Sequence, residues 1–253
     1  MVAAAPALTL RISALGWLRI AARITAMVAL LALCLPFYYL ARVARLPNPW
    51  PRWFLAGVMW IAGVELKITG QRPPHGAFLI ANHVSWIDVP ALAAATGTAF
   101  VGHDGLASTP LLKHLCAMND TVFIARHDRT SVHAQVEQVR TALSETGALA
   151  IFPEGTTSDG TGLLPFKSSL LSALEPVPEG VSVIPVLLDY GAEAAEIAWV
   201  GDEHGLDNFK RILARGRGVK LTLRFLPALG GADVADRKAM AAAARAALLG
   251  AMG

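Results

Sequence analysis

The chain has 253 residues, enough for one catalytic domain with an anchor or, at most, for two small domains. Apolar residues make up 54% of it, charged residues only 16%, and the mean hydropathy is +0.48, which is high for a soluble protein. Residues 1–64 hold six of the 22 basic residues and none of the 19 acidic ones, so this part carries +6 and the remainder −3. That distribution favours contact with anionic lipid headgroups. It argues against a nucleic-acid partner, which would need a basic stripe on the folded body.

The two cysteines, Cys34 and Cys116, are too few and too far apart for a disulfide framework or a cysteine-based metal site. No cluster of His, Cys and carboxylate residues has the spacing of metal ligands, and His-Glu-x-x-His does not occur. We therefore expect neither a metal nor another cofactor.

The N-terminal part is expected to be a membrane anchor, residues 1–64, that precedes a folded domain, residues 65–253. Residues 24–41 form an uncharged run bounded by arginines, which just reaches the length of a membrane-spanning helix. A second apolar segment, residues 53–64, is short for a span and is expected at the membrane interface. A secretory signal peptide and an apolar helix buried in a soluble domain are the alternative interpretations.

Beyond residue 65, predicted strands and helices alternate, which predicts an α/β domain whose mixed, largely parallel sheet is flanked by helices. Ligands in such sheets bind beyond the carboxyl ends of the strands. A final helix would be capped by Asp233. The predicted strands are 78–81, 100–101, 121–125, 148–152, 182–188, 197–200 and 221–225, and the other predicted helices are 88–95, 110–115, 131–144 and 167–174.

The segment N-H-V-S-W-I-D, residues 82–88, places His83 and Asp88 where a strand gives way to a helix. A neutral imidazole can take the proton of a hydroxyl as that hydroxyl attacks. A carboxylate on the other ring nitrogen fixes the tautomer and stabilises the imidazolium. Five positions apart is not one face of a helix, so the pair forms only if His83 lies in the turn before the helix and folds back toward Asp88.

Two further strands end at polar groups. The segment F-P-E-G-T-T-S, residues 152–158, places Glu154, Gly155 and Thr156 directly after an apolar run. Gly155 permits close approach of the backbone to a ligand, and the hydroxyls and free N–H groups can hold an anion or a polyol headgroup. Arg126 ends the run F-I-A-R and can bind phosphate or carboxylate.

Taken in order, N-H-x4-D, a strand that ends in arginine, F-P-E-G-T-x-S and V-I-P-V at residues 183–186 resemble the four blocks of the glycerolipid acyltransferase family. A typical member is 1-acyl-sn-glycerol-3-phosphate acyltransferase. The resemblance runs from residue 68 to residue 188, about half of the chain. It implies a membrane-bound enzyme that transfers a fatty acyl group from acyl-CoA or acyl-acyl carrier protein to the free hydroxyl of a lysophospholipid.

The resemblance also implies a role for each site residue. His83 would be the general base and Asp88 its partner. Arg126 would contact the phosphate of the acceptor, and Glu154, Gly155 and Thr156 would help to bind its glycerol-phosphate part. The catalytic domain is expected at the cytoplasmic face of the cell membrane.

The chain departs from the family pattern at residues 103–106, where H-D-G-L stands in place of a K-x-E-L stretch. The change removes an expected phosphate contact. In addition, P-F-K-S-S at residues 165–169 resembles the branch that acylates lyso-ornithine lipid, whose acceptor has no glycerol phosphate. The sequence predicts 1-acyl-sn-glycerol-3-phosphate as the acceptor, with lyso-ornithine lipid as the alternative.

Two functions of other classes remain open at this point. A hydrolase would use the same base to activate water. A non-catalytic lipid-binding membrane protein would not need the His83/Asp88 pair. No Gly-x-Ser-x-Gly nucleophile motif occurs, so we expect direct transfer without an acyl-enzyme.

Overall fold

The computed structural model describes residues 12–103, 110–124, 141–143 and 147–252. Its α-helices are α1 Ala14–Val43, α2 Trp50–Ala62, α3 Asp88–Thr96, α4 Pro110–Met118, α5 Ala194–Ile197, α6 Gly205–Ala214 and α7 Arg237–Ala251. Its strands are β1 Val64–Thr69, β2 Ala77–Ala81, β3 Ala99–His103, β4 Val122–Ile124, β5 Ala148–Ile151, β6 Ser182–Asp189 and β7 Val219–Phe225. Short 3-10 helices span Ser168–Leu174, Gly191–Glu193 and Gly231–Val234.

The strands form one seven-stranded sheet in the order β1-β7-β6-β2-β5-β3-β4. Every neighbouring pair is parallel except β6 and β7, which are antiparallel. The predicted α/β fold with a mixed, largely parallel sheet is therefore confirmed. In particular β6, β2 and β5 are adjacent and parallel, so their carboxyl ends lie together at one edge of the sheet.

Strand β2 lies in the middle of the sheet, and all five of its residues are buried. Because successive side chains of a strand point to opposite faces, Leu79 packs into one core and Phe78 and Ile80 into another. The first core includes residues of α1, α3 and α6, and the second includes residues of α7 and of Ser168–Leu174. A strand covered on both faces explains why this segment is a continuous apolar run.

Helix α1 is longer than the predicted helix 24–41 and begins where the Ser13 hydroxyl accepts a hydrogen bond from the Gly16 N–H at 3.1 Å. It continues on both sides of Pro36. Among the described residues, α1 is the one helix whose length and composition would allow it to cross a membrane. In its most apolar 18-residue stretch, only 11% of the residues are buried within the protein. Nevertheless, the Arg23 guanidinium donates to the carbonyls of Leu213 and Arg215, at 2.8 and 3.2 Å, and holds α1 against α6.

Two local predictions are wrong. Residues 197–200 do not form a strand, because Ile197 ends α5 and the Trp199 N–H donates to the Val84 carbonyl at 2.9 Å instead of pairing in the sheet. Asp233 does not cap the last helix. Asp236 does, since its carboxylate accepts the N–H groups of the first turn of α7 at 2.7 and 2.9 Å.

Of the strands and α-helices, β1, α5 and α6 were not predicted from the sequence, and α2 was predicted only as an apolar segment at residues 53–64. The predicted helix 131–144 lies outside the described residues, apart from residues 141–143, which are helical. The remaining predicted strands and helices are confirmed within a few residues of their expected ends.

Candidate active site

The turn between β2 and α3 brings His83 and Asp88 together. The ring Nδ1 of His83 lies 2.8 Å from Oδ2 of Asp88. The same carboxylate oxygen accepts the backbone N–H groups of Val84 and Ser85 at 2.6 and 2.9 Å. Asp88 is in the first turn of α3, and its Oδ2 both holds the turn that precedes the helix and orients the imidazole. With Nδ1–H donated to the carboxylate, Nε2 of His83 is left as the basic atom.

His83 is partly exposed, whereas Asp88 is fully buried: their side chains are 19% and 0% exposed. The imidazole stacks on the ring of Phe152, with the ring centroids 4.1 Å apart and the planes inclined at 16°. This stacking restricts rotation of the ring. The pair therefore combines a buried carboxylate with a base that a substrate can reach, which is the arrangement that proton removal requires.

A second buried group, Tyr190, contacts Asp88 from the other side. Its hydroxyl donates to Oδ1 of Asp88 at 2.5 Å. Tyr190 directly follows β6, and its own burial and the Asp88 carboxylate beside it raise the pKa of the phenol well above its ordinary value. It therefore stays a hydrogen-bond donor. Nothing in the sequence singled out this tyrosine, because it lies 102 residues from Asp88 and outside the four blocks.

Glu154 holds the backbone of His83. One carboxylate oxygen accepts the His83 N–H at 2.8 Å, and the other accepts the Leu164 N–H at 2.8 Å. The side chain is 1% exposed, and this burial raises the pKa of Glu154 above its ordinary value, although both backbone hydrogen bonds oppose the shift. The observed contacts of Glu154 are thus with the protein backbone. Its predicted contact with the acceptor stays a prediction.

The residues after Glu154 continue the loop around His83. Ser158 donates both its N–H and its hydroxyl to the His83 carbonyl, at 2.7 and 3.1 Å. Gly155 has a φ of +69°, a conformation that glycine adopts at no steric cost. Thr156 is exposed beside it, so its hydroxyl is open to a ligand. The Thr157 hydroxyl is taken by the Trp199 carbonyl.

Asn82 fixes the end of β2 against β6. Its side-chain amide donates to the Leu188 carbonyl at 3.0 Å, and its side-chain oxygen accepts the Leu188 N–H at 2.7 Å. Asn82 is 1% exposed, so this pair of bonds is shielded from water. These two bonds hold Asn82, the residue before His83, in register with Leu188, which lies two positions before Tyr190.

An apolar cavity of about 190 Å³ lies between α1, α2, α3, β3 and α4. Val89, which follows Asp88, is one of its walls, and Phe100 is another. Phe100 stacks on Phe152, with the ring centroids 6.1 Å apart, and Phe152 in turn stacks on His83. The rings of Phe100 and Phe152 therefore connect the cavity to the His83–Asp88 pair. It is lined by Leu31, Cys34, Tyr38, Trp50, Pro51, Phe54, Leu55, Val89, Phe100, Leu115, Cys116, Met118, Asn119 and Thr121.

Arg126 lies outside the described residues, so its predicted place beside the acceptor stays a prediction. Within the described part of the chain, no group of three or more His, Cys, Asp or Glu residues is arranged to hold a metal ion. The base, its carboxylate partner and the loop that carries Glu154, Gly155 and Thr156 all lie at the carboxyl ends of β2 and β5.

Comparison with known proteins agrees with this geometry. A family model described as Acyltransferase matches residues 64–189. Lyso-ornithine lipid O-acyltransferase of Brucella abortus is 30% identical to the chain over 90% of its length and 91% of the relative's own. The corresponding protein of Pseudomonas aeruginosa is 34% identical, over 70% of the chain and 69% of the relative.

Two other comparisons extend this set. A 1-acyl-sn-glycerol-3-phosphate acyltransferase of Neisseria gonorrhoeae is 33% identical over 53% of the chain and 52% of the relative. The crystal structure of the 1-acyl-sn-glycerophosphate acyltransferase PlsC from Thermotoga maritima superimposes with a TM-score of 0.64. The match covers 94% of the chain and 93% of that structure at 18% identity, so it supports the fold alone. The chain is therefore an enzyme that belongs to the acyltransferase family.

Proposed function

We propose that this acyltransferase moves a fatty acyl group from a thioester donor to the free hydroxyl of a lysolipid, with lyso-ornithine lipid as the preferred acceptor. The observation that carries the reaction is the His83–Asp88 pair, with Nε2 of His83 left as a base at a partly exposed position. The sequence motifs predicted 1-acyl-sn-glycerol-3-phosphate as the acceptor, whereas this proposal puts lyso-ornithine lipid first. It is supported by the relatives that match most of the chain and by the H-D-G-L segment at residues 103–106.

1-Acyl-sn-glycerol-3-phosphate is the second candidate acceptor, supported by the relatives of that activity that match half of the chain. Arg126 and the exposed Thr156 are the residues proposed to contact its headgroup. The observed bonds of Glu154 favour a different role for that carboxylate, which is to hold the His83 backbone. A phosphate beside a buried carboxylate would also be repelled, because like charges at close range disfavour each other.

The proposed reaction uses the geometry of the His83–Asp88 pair. The acceptor hydroxyl lies against Nε2 of His83 and gives up its proton as its oxygen attacks the thioester carbonyl. The Asp88 carboxylate stabilises the imidazolium that forms. The tetrahedral intermediate then collapses and expels the thiolate, which takes up the proton from His83. No side chain of the protein becomes acylated in this scheme.

The apolar cavity is proposed to hold an acyl chain of one substrate. Its walls carry almost no polar surface, and the stacked rings of Phe100 and Phe152 connect it to His83. A cavity of about 190 Å³ accepts only part of a long chain, so the rest of that chain would lie along the exposed apolar helices. The donor is proposed to be acyl-CoA or acyl-acyl carrier protein.

Helices α1 and α2 are proposed to seat the enzyme on the bilayer, with the catalytic domain at the cytoplasmic face. Their large apolar side chains point outward, and Leu18, Leu33 and Trp60 are 66%, 60% and 79% exposed. Because Arg23 fixes α1 to α6, the helix runs along the body of the protein. This favours an anchor that lies in the membrane interface over one that leaves the body to cross the bilayer.

The proposal is tested with purified protein in lipid–detergent micelles and a radiolabelled palmitoyl thioester, either the CoA or the carrier-protein ester. Parallel reactions contain lyso-ornithine lipid, 1-acyl-sn-glycerol-3-phosphate, lysophosphatidylethanolamine or no acceptor, and product lipids are separated by chromatography. The His83→Ala variant is the matched control. We expect label in ornithine lipid, dependent on His83, at a higher kcat/KM than for any other acceptor.

The other outcomes are equally definite. Label chiefly in phosphatidic acid would keep the chemistry and make 1-acyl-sn-glycerol-3-phosphate the acceptor. Free fatty acid formed at the same rate in every tube would make the protein a thioester hydrolase. No turnover with any pair of substrates would contradict the proposal.

A further inference from the structure

We infer that Tyr190 is a positioning residue of the active site, which orients Asp88 and thereby sets the basicity of His83. The inference rests on the proposed role of His83 as the base and goes beyond it, because Tyr190 lies outside the motif that carries the catalytic pair. The Tyr190–Asp88 contact is a short, buried hydrogen bond between a neutral donor and a carboxylate, a type of bond that is stronger than one between two neutral groups.

The hydrogen bonds of Asp88 divide between its two oxygens. Oδ2 takes the His83 ring and the N–H groups of Val84 and Ser85. The described residues give Oδ1 one donor, the Tyr190 hydroxyl. The bonds from the turn all meet at Oδ2, so they leave the carboxylate free to rotate about that oxygen. The bond from the Tyr190 phenol to Oδ1 removes this freedom and fixes the plane of the carboxylate. That plane in turn directs the Nδ1–H bond of His83.

The position of Tyr190 is itself determined by the sheet. The two hydrogen bonds between Asn82 and the Leu188 backbone lock the carboxyl ends of β2 and β6 together. His83 follows one of these strands directly, and Tyr190 follows the other. The buried tyrosine, 4% exposed, therefore approaches Asp88 from a rigid support.

The Tyr190–Asp88 hydrogen bond also changes the negative charge that the Asp88 carboxylate presents to the His83 ring. A donor on Oδ1 draws negative charge away from Oδ2, so the carboxylate stabilises an imidazolium less strongly than it would alone. Among the described residues, Glu154 is the other ionisable group that contacts His83, and its carboxylate accepts the His83 N–H. Loss of the phenol should make the Asp88 oxygens more basic and strengthen the ion pair with protonated His83.

The test is Tyr190→Phe, which removes the hydroxyl and keeps the ring that fills the core. We expect kcat to fall about tenfold, the effect of one buried hydrogen bond to a charged group, while KM for donor and acceptor changes less than about twofold. The acid limb of the kcat/KM–pH profile should move to higher pH, because more of His83 is protonated. Tyr39→Phe is the matched control, since its hydroxyl bonds His114 at an exposed position.

A double-variant cycle separates positioning from a general effect on folding. If Tyr190 acts through Asp88, Tyr190→Phe should lower the activity of an Asp88→Asn variant less than about twofold. Rates are referred to the folded fraction, measured by gel filtration and thermal unfolding. An unshifted pH profile together with an additive double variant would overturn the inference even if kcat fell. An unaltered kcat would overturn it as well, whereas loss of His83 dependence would instead contradict the proposed function.

Discussion

The turn at residues 83–88 and the helix pair α1–α2 are built on opposite principles. In the turn, polar groups are buried and held by directed hydrogen bonds. The carboxylate of Asp88 accepts four of them, three from residues of the turn and one from Tyr190. In the helix pair, apolar groups are exposed, and Val43 of α1 and Trp60 of α2 are the most exposed of them. The turn depends on the geometry of its hydrogen bonds, and the helix pair on its apolar composition. Substitutions in the turn should therefore lower the rate of acyl transfer, and substitutions in the helix pair should weaken membrane binding.

Asp88→Asn should have the largest effect among the substitutions that leave the base in place. The amide keeps the size of the side chain but offers only one acceptor oxygen, so the tautomer of His83 is no longer fixed and the imidazolium loses its counter-charge. We expect kcat to fall about 10²- to 10⁴-fold with little change in KM. Initial rates of acyl transfer measure this. A variant with more than a tenth of the normal kcat would show that the carboxylate is not needed.

Glu154→Gln should come next. The two carboxylate oxygens accept the N–H groups of His83 and Leu164, but glutamine has only one oxygen to offer. Its NH₂ group would face the other N–H, and both of these donors would be left without an acceptor. We expect the turn to shift and the rate to fall about tenfold or more, with a loss of about 1–3 kcal/mol in the free energy of unfolding. Glu203→Gln is the control, because that carboxylate bonds Arg211 far along the chain from the turn. Equal losses in the two variants would contradict a specific role.

Glu154 also gives a pH dependence of stability. Burial raises the pKa of this carboxyl in the folded state above that in the unfolded chain. The folded state therefore holds the proton more tightly, and the stability from this group is fully present below about pH 4.3 and is lost as the pH rises through the folded pKa. Relative to Glu154→Gln, which does not titrate, the wild type should lose unfolding free energy as the pH rises from about 4. Chemical denaturation across that range measures the difference, and a gain with rising pH would show that the backbone hydrogen bonds outweigh burial.

A substitution in the cavity should have a smaller and more selective effect. Cys34 is buried on α1 and lines the cavity, whereas Leu33 is exposed on the same helix. Cys34→Trp should fill the cavity and lower kcat/KM for a long-chain substrate about tenfold relative to a short-chain one, because the end of the long chain can no longer be buried. Leu33→Trp should leave the chain-length preference unchanged. An unaltered preference in Cys34→Trp would exclude the cavity as the acyl-chain site.

The smallest effect on the transfer rate is expected from the membrane-facing side, where a substitution acts on membrane binding instead. Trp60→Ser removes one large, exposed aromatic ring from α2 and should weaken binding to phospholipid vesicles about tenfold, as expected when the amphipathic ring of one interfacial anchor is lost. Leu206→Ser removes an exposed apolar side chain from α6 and is the matched control. Sedimentation with vesicles of anionic lipid measures both. Equal binding by the two variants would contradict the assignment of α1 and α2 to the membrane surface.

Much of the fold and the centre of the site could be predicted from the sequence, because both depend on local signals. Continuous apolar runs predicted the buried strands, and the N-H-x4-D pattern after one of them predicted the His83–Asp88 pair. The strand predicted at residues 197–200 failed because an apolar run of that length also suits the buried end of a helix, and Trp199 bonds the turn instead.

The residues that support the pair could not be predicted in the same way. Tyr190 and Leu164 meet the site only because β6, β2 and β5 are adjacent, and strand order is a property of the whole chain. The motif predicted Glu154 as a site residue, and in the structure its carboxylate lies against the His83 backbone. The spacing of a motif carries no information on whether a carboxylate faces a ligand or the backbone. Helix α6 was missed because its apolar positions are interrupted by four charged or amide residues.

The most direct test of the account is the rate of acyl transfer to lyso-ornithine lipid by His83→Ala, measured beside the wild type with a labelled long-chain thioester. Thermal unfolding of both proteins establishes that the variant is folded. We predict a folded variant whose transfer rate is lower by about 10³-fold or more, since the proposed general base is gone. Near-normal transfer by folded His83→Ala would contradict it, because the reaction would then proceed without the group on which every step depends.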